Sequence, residues 1–185
     1  MYLKRMFSDK MVGAIAPSSS FCVKKVSGKI DYPGKKVFVE YGSGAGEYTK
    51  HFLEQMDEDA IIVAFETDKY LFDKLNEIDD PRLKAIHDGA ENAPEVLGKL
   101  GVGKADYIVS GIPFTFLEEE TRNQVLSQTV DLLRDDGAFV VYQFSPYIKV
   151  LLKKHFKDIA VDFTPLNLPP MFVMKATGKL EKVSG

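Results

Sequence analysis

Apolar residues in this chain fall into short continuous runs that alternate with segments in which they recur every three or four positions. The short runs predict buried strands, and the spaced segments predict helices. The predicted strands are residues 37–40, 60–65, 84–87, 105–109, 138–142, 159–162 and 171–176. Strands that alternate with helices are typical of a parallel sheet covered on both faces. We therefore predict an α/β three-layer sandwich with a seven-stranded, mostly parallel sheet, one antiparallel edge strand and helices on both faces.

The predicted helices and turns are marked by capping and turn residues. Three consecutive serines, residues 18–20, suit the start of a helix that ends near Gly28. Residues 92–100 and 117–133 are further predicted helices. The pair Asp135 and Asp136, with the glycine that follows, predicts a turn into the fifth strand. A last helix is predicted from Pro146, with an apolar face that extends to Phe156.

A glycine-rich turn follows the first predicted strand. Its pattern is E-x-G-x-G-x-G, with Glu40 at the strand end and glycines at 42, 44 and 46. Dinucleotide-binding turns use G-x-G-x-x-G so that the backbone can approach a pyrophosphate. Here Glu47 occupies the place of the third glycine of that pattern, and a carboxylate there would repel a pyrophosphate. Two acidic residues suit a cationic ligand such as S-adenosylmethionine better than NAD.

This turn resembles motif I of the class I S-adenosylmethionine-dependent methyltransferases, over about residues 37–145. Two short stretches, Val12–Ser20 and Ser110–Phe114, more narrowly resemble the bacterial phospholipid N-methyltransferases and the ribosomal RNA adenine dimethylases. The resemblance implies a Rossmann-like form of the predicted sandwich. It also implies S-adenosylmethionine as the cofactor and S-adenosylhomocysteine as the product.

Several polar residues at strand ends are candidate cofactor ligands. Glu66 ends the second strand, 20 residues after Gly46, where doubly wound folds place the acid that binds the ribose hydroxyls. A helix-capping role is the alternative for Glu66. The resemblance implies that Asp88 contacts the adenine amino group, against a plain Asp-Gly turn, and that Ser19 and Ser20 contact the methionine part, against a plain cap. The predicted cofactor-binding set is Ser19, Ser20, Glu40, Gly42, Ser43, Gly44, Gly46, Glu66, Thr67, Asp88, Gly89 and Ser110.

The stretch Ser110–Phe114 is the predicted acceptor site. In amino-group methyltransferases this place carries Asn/Asp-Pro-Pro-aromatic, whose oxygens hold the target nitrogen. Here Ser110 replaces the amide, Gly111 and Ile112 occupy the place of the first proline, and the aromatic residue Phe114 remains. We predict Ser110 and Phe114 as catalytic residues, the latter through a cation–π contact, with core packing as the alternative. The sequence identifies no general base, and its three scattered histidines predict no metal site.

Length and composition suit an ordinary globular protein. We expect 185 residues to form a single methyltransferase domain, in which residues 1–30 make an N-terminal helical cap over the cofactor site. The chain has one cysteine, Cys22, and no run that resembles a signal peptide or a membrane span. These features favour a cytoplasmic protein.

Charge is distributed unevenly along the chain. Residues 1–36 carry a net charge of +6, residues 37–145 of −13, and residues 146–185 of +4. One interpretation is ordinary solvated surface charge. The other is that both basic ends meet an anionic surface, either a membrane, with the protein peripheral to it, or nucleic acid. The apolar, proline-rich segment 164–172 either contacts lipid or packs on the sheet.

These observations predict an N-methyltransferase that acts on an amino headgroup lipid such as phosphatidylethanolamine. Nucleic acid is a less favoured partner, because RNA adenine methyltransferases usually carry an RNA-binding domain after the catalytic one and this chain ends soon after its fifth strand. A small-molecule amine methyltransferase and a non-catalytic cofactor-binding module remain alternatives. The sequence does not indicate the number of methyl groups transferred or the oligomeric state.

Overall fold

The structure, a computed structural model, describes residues 20–164 and 170–180. Its helices are α1 Ser20–Ser27, α2 Glu47–Gln55, α3 Lys69–Asn76, α4 Ala93–Lys99, α5 Glu119–Leu132 and α6 Ile148–Leu152. Its strands are β1 Val37–Tyr41, β2 Ile61–Phe65, β3 Leu83–Ile86, β4 Ala105–Ser110, β5 Leu133–Gln143, β6 Phe156–Thr164 and β7 Met171–Lys179. Short 3₁₀ turns span Ala90–Asn92 and Phe114–Phe116.

The seven strands form one sheet in the order β3-β2-β1-β4-β5-β7-β6. Strands β1 to β5 pair in parallel, and β7 pairs antiparallel with both β5 and β6. The predicted fold class is confirmed, with one refinement: the antiparallel strand β7 lies between β5 and the edge strand β6. Because β6 is antiparallel to β7, it runs in the same direction as β5, and their carboxyl ends share one edge of the sheet.

Side chains alternate between the two faces of the sheet, as expected for strands. In β1, Phe38 packs with α1 and α2 on one face, whereas Val39 packs with α4, α5 and α6 on the other. Both residues are almost completely buried. The two apolar clusters on opposite faces produce the predicted three layers.

The turn predicted after α5 is not present, and this prediction is wrong. Residues 134–137 belong to β5, where four residues bulge opposite the single residue Asp106, between the pairs Ala105–Leu133 and Tyr107–Ala138. Gly137 is required at this bulge because a Cβ there would lie 3.0 Å from the carbonyl oxygen of Asp106. An Asp-Asp-Gly sequence is typical of a turn and does not distinguish a turn from a bulge.

The predicted helix from Pro146 is also shorter than expected. Helix α6 ends at Leu152, and Phe156 begins β6 instead of continuing the helix. Phe156 nevertheless packs in the same apolar cluster as Leu151 and Leu152. Its spacing therefore reproduces a helical pattern although the backbone is extended.

The N-terminal segment is described only in part. Residues 1–19 of the predicted cap lie outside the described residues, as do residues 165–169 of the proline-rich segment. Helix α1 buries Cys22, Val23 and Val26 against the α2 face of the sheet. No helix among the described residues has the length and apolar character needed to cross a membrane.

Candidate functional site

The glycine turn joins the carboxyl end of β1 to α2. Gly42, Gly44 and Gly46 have φ angles of +72°, +58° and +88°, in the left-handed region that disfavours other residues. At Gly46 the space is closed as well, because a Cβ would lie 2.5 Å from Cδ1 of Ile78. At Gly44 the nearest atom to a Cβ is a Glu47 oxygen at 3.8 Å, so this part of the turn has room for a ligand against the backbone.

The turn is held in place by the end of the neighbouring strand β2. The Gly42 and Ser43 amides both donate to the Phe65 carbonyl, at 2.9 and 3.1 Å. The Glu66 carboxylate accepts from the Gly44 amide through one oxygen and from the Asp68 amide through the other, each at 2.8 Å. Glu66 is thus fixed beside the middle of the turn, and each of its oxygens keeps a second lone pair for a ligand.

The helix-capping role considered for Glu66 belongs to a different residue. Asp68 is the N-cap of α3, and its side chain accepts a 3.0 Å hydrogen bond from the Leu71 amide. Glu66 lies two residues before this cap and points to the glycine turn instead. Its predicted contact with the ribose hydroxyls stays a prediction.

Glu40 was predicted to be a negative charge near the ligand, but the structure places it in a buried position where it is neutral. The side chain is fully buried beneath the turn, where its Oε2 accepts a 2.5 Å hydrogen bond from Thr49. Burial raises the pKa of Glu40 from 4.5 to about 8, although hydrogen bonds from Thr49 and Ser43 oppose this shift. Glu40 is therefore mostly protonated at neutral pH and supports the turn from below as a neutral group.

The end of β3 brings further predicted ligands to the same edge of the sheet. Asp88 is half-buried and accepts hydrogen bonds from the Gly89 amide (2.7 Å) and the Asn92 side chain (2.8 Å). This is the turn-forming geometry considered for Asp88, and an adenine contact stays a prediction. The exposed Thr67 places its carbonyl 3.1 Å from the ring nitrogen Nε2 of His87.

The predicted serines of the N-terminal segment are separated by the limit of the described residues. Ser20 is exposed at the first position of α1, whereas Ser19 lies outside the described residues. The structure therefore leaves their contact with the methionine part of the cofactor as a prediction.

The two predicted catalytic residues, Ser110 and Phe114, are buried, and their catalytic roles stay predictions. Ser110 is fully buried, and its hydroxyl accepts a 3.2 Å hydrogen bond from the Ile112 amide, which closes the turn after β4. Phe114 is also fully buried, and its ring packs edge-on against Phe139 at 6.2 Å. Neither side chain is exposed, since Ser110 ends the central strand β4 and Phe114, in the 3₁₀ turn after it, packs in the core. The packing alternative for Phe114 is the one observed.

Two tyrosines that the sequence did not single out lie at this site. Tyr48, in the first turn of α2, stacks on Tyr142 near the end of β5, with ring centroids 4.3 Å apart. A Cβ on Gly111 would lie 2.5 Å from the Tyr142 hydroxyl oxygen, so the phenol rests against the turn after β4. Both tyrosines occupy positions at which the sequence pattern indicates only packing. Their proximity depends on the order of the strands.

A metal site is not evident in the part of the chain that the structure describes. Within residues 20–164 and 170–180, no group of three or more His, Cys, Asp or Glu side chains is arranged to hold a metal ion. The polar groups at the glycine turn are instead amides, a buried acid and the Glu66 carboxylate, which suit an organic ligand that carries hydroxyl and amino groups.

Comparisons with known proteins show what this chain is similar to. No protein-family model matches the chain. An ornithine lipid N-methyltransferase from Singulisphaera acidiphila is 24% identical over 174 residues, which cover 92% of this chain and 91% of that protein. The precorrin-6y C5,15-methyltransferase of Geobacter metallireducens GS-15 is 16% identical, with a TM-score of 0.67 over 84% of this chain and 87% of that one. A mycolic acid cyclopropane synthase complexed with SAH and CTAB is 17% identical, with a TM-score of 0.53 over 66% and 41% of the two chains.

The fold thus defines a class. The chain has the fold of the class I S-adenosylmethionine-dependent methyltransferases, and the curated relative that spans nearly all of it is a methyltransferase. The predictions of a methyltransferase and of S-adenosylmethionine as its cofactor are confirmed. The identity of the acceptor is a separate question.

Proposed function

We propose that this protein methylates the amino group of a membrane lipid headgroup. The observation that carries the proposal is the alignment of nearly the whole chain with an ornithine lipid N-methyltransferase, whose acceptor, by its name, is an amine-bearing lipid. The exposed aromatic residues described below support the same acceptor class. Phosphatidylethanolamine and ornithine lipid are the two candidate substrates, since each carries a primary amine.

The chain's own residues account for how the cofactor would be held. The glycine turn offers backbone amides and open space at Gly44, and the fixed carboxylate of Glu66 accepts hydrogen bonds from a diol. Asp88, at the end of β3, lies where the resemblance places the adenine contact. The neutral Glu40 holds α2 through its hydrogen bond with Thr49 and places no negative charge beneath the turn.

Bound S-adenosylmethionine would supply a methyl group on a sulfonium, whose carbon–sulfur bond would break with its electron pair passing to sulfur. The acceptor amine would contribute its lone pair to the new nitrogen–carbon bond, and the product would be a methylated ammonium. A primary amine has a pKa near 10, so the one proton released overall must leave the ammonium form before the attack. The protein contributes by orienting the amine and excluding water.

A group of exposed apolar residues lies at the carboxyl edge of the sheet, where the glycine turn also lies. We call it the carboxyl-edge apolar surface; it comprises Phe116, Phe144, Tyr147, Val150 and Phe163, each about half exposed. Phe116 follows β4, the next three residues follow β5, and Phe163 is the penultimate residue of β6; the carboxyl ends of these strands share this edge. Aromatic side chains are favoured at the boundary between lipid and water. We infer that this surface rests on the bilayer and brings the headgroup to the site.

The terminal lysines contribute less to membrane binding than the charge distribution suggested. Lys35 pairs with Asp136 at 3.2 Å, Lys36 with Asp59 at 2.5 Å, and Lys179 with Asp135 at 3.0 Å. These three lysines thus bind carboxylates of the acidic middle segment. Lys149 lies between Tyr147 and Val150 of the carboxyl-edge apolar surface. We expect apolar contact, and not the charge of this lysine, to dominate the membrane affinity.

Methyl transfer to several acceptors in parallel tests the proposal. Purified protein and radiolabelled S-adenosylmethionine are incubated with vesicles that contain phosphatidylethanolamine or ornithine lipid, with total RNA, and with free ethanolamine. We expect label in an amine lipid and none in RNA. Label only in RNA or only in free ethanolamine would refute the lipid proposal and identify that molecule as the acceptor. Binding of the cofactor without methyl transfer to any acceptor would indicate a non-catalytic module.

Vesicle sedimentation tests the membrane surface separately. The double variant Phe144→Ser with Tyr147→Ser removes two of its aromatic rings, and we expect at least a 10-fold weaker partition to the vesicles. The matched control is Leu100→Ser, because Leu100 is 42% exposed but precedes β4 at the opposite edge of the sheet. Equal losses in both proteins would refute the assignment of this surface.

A further inference from the structure

At the acceptor end of the site, the two side chains that the sequence predicted, Ser110 and Phe114, are completely covered, whereas Tyr142 keeps 9% of its surface exposed. The tyrosine pair at the same place offers an alternative. We propose that Tyr142, stacked on Tyr48, binds the acceptor nitrogen: its hydroxyl oxygen accepts a hydrogen bond from the amine and orients the lone pair. This inference rests on the proposed function and adds to it the residue that recognises the amine.

The position of Tyr142 follows from the order of the strands. It lies near the carboxyl end of β5, next to β4, and its ring reaches the turn after β4. Its stacking partner Tyr48 follows the glycine turn directly, two residues after Gly46. The pair therefore bridges the turn that would hold the cofactor and the turn that the resemblance assigns to the acceptor. In doubly wound folds, ligands bind at this edge, where the strand order reverses.

The pair also explains why the turn after β4 departs from the amino-methyltransferase pattern. A Cβ on Gly111 would lie 2.5 Å from the Tyr142 hydroxyl oxygen and 2.8 Å from the ring carbon that bears it. The φ angle of Gly111 is not positive, so glycine is required there for space and not for backbone conformation. A proline at 111 would carry a Cβ at this place and displace the phenol, whereas glycine leaves room for Tyr142.

The surroundings of Tyr142 suit a cationic amine. Burial raises the pKa of its hydroxyl well above 10, as do the neighbouring Glu40, Tyr48, Glu47 and Glu66, in that order. The phenol therefore stays neutral and acts as a hydrogen-bond partner, not as a base. Neutral aromatic rings close to acidic side chains attract an ammonium group or its methylated product.

Replacing Tyr142 with phenylalanine tests the inference, because Tyr142→Phe removes the hydroxyl and keeps the stacked ring. We expect kcat/KM for the amine lipid to fall about 10-fold, the effect of one hydrogen bond, while the Kd for S-adenosylhomocysteine stays within about twofold. Gly111→Ala, which pushes the hydroxyl away, is expected to lower kcat/KM at least as much. A purely structural role would instead lower the unfolding midpoint and weaken cofactor binding.

The matched control is Tyr107→Phe. Tyr107 lies on β4 and faces the same side of the sheet, but its hydroxyl bonds with the Asp31 amide near the opposite edge. We expect its kcat/KM to equal that of the wild type. Wild-type kinetics in Tyr142→Phe would overturn the inference and leave the proposed function intact.

A binding measurement covers the case in which the wild type methylates no amine lipid, so that the proposed function fails. Dodecylammonium is then titrated into the complex with S-adenosylhomocysteine by calorimetry. About 10-fold weaker binding by Tyr142→Phe than by the wild type and Tyr107→Phe would support an amine site at Tyr142. Equal affinities, or no binding to any of the three proteins, would overturn it.

Discussion

Glu40 gives this protein a stability that depends on pH in a defined window. The side chain is fully buried, Oε2 accepts a hydrogen bond from Thr49, and Oε1 has no hydrogen-bond partner among the described residues. Burial raises its pKa from 4.5 to about 8. The folded protein therefore keeps this proton over a range of pH in which the unfolded chain has lost it.

The sign and the size follow from proton linkage. Because the folded pKa is raised, the contribution of Glu40 to stability is fully present below pH 4.5 and is lost as the pH rises to about 8. The slope is about 1.4 kcal/mol per pH unit in this window. The accumulated loss is about 3 kcal/mol at pH 7 and about 5 kcal/mol at pH 9. Carboxylates with lowered pKa values, such as Asp80 and Asp162, have their effects below this window.

Replacing Glu40 with glutamine removes the titration and keeps the shape. Urea unfolding at pH 5, 7 and 9 measures the free energy of unfolding of each protein. We expect Glu40→Gln to be more stable than the wild type by about 3–5 kcal/mol at pH 9, with the difference nearly gone at pH 5. The control Glu58→Gln changes an exposed acid and should follow the wild type at each pH. If wild type and Glu40→Gln gave parallel curves, Glu40 would be charged at neutral pH and the reasoning would be wrong.

Three further predictions concern the site and its support. Glu66→Ala should raise the Kd for S-adenosylmethionine about 10- to 100-fold in calorimetry, and unchanged affinity would remove Glu66 from the site. In urea unfolding, Gly46→Ala should lose about 2–4 kcal/mol of stability, since it adds a clash with Ile78 to the strain of a left-handed backbone. The control Gly34→Ala has φ +76° and open space around it, and it should lose only about 1 kcal/mol. Phe114→Leu should cost about 1 kcal/mol of stability and leave the KM for the acceptor unchanged; a raised KM would restore its catalytic role.

Much of the fold was determined by local sequence. The alternation of apolar runs and helical spacing predicted all seven strands. A strand that is buried on both faces, such as β4, forms a continuous apolar run, which a short segment displays by itself. The three glycines of the turn after β1 were likewise predictable, since each has a positive φ that is a property of the backbone at that residue. Glu66 was placed at the turn from its position at the end of β2, which the register of adjacent parallel strands then fixes.

Only the tertiary structure decided which of these side chains are charged, open or paired. Glu40 is neutral and Phe114 is buried because elements distant in the chain cover them. The sequence near each residue does not show which elements these are. Lysines of the first segment bind acids far along the chain, as Lys35 does with Asp136 and Lys29 with Asp162, so the charge distribution along the sequence did not describe the surface. The contact of Tyr142 with Gly111 has the same origin: it depends on β5 lying beside β4, and the strand order is a property of the whole sheet.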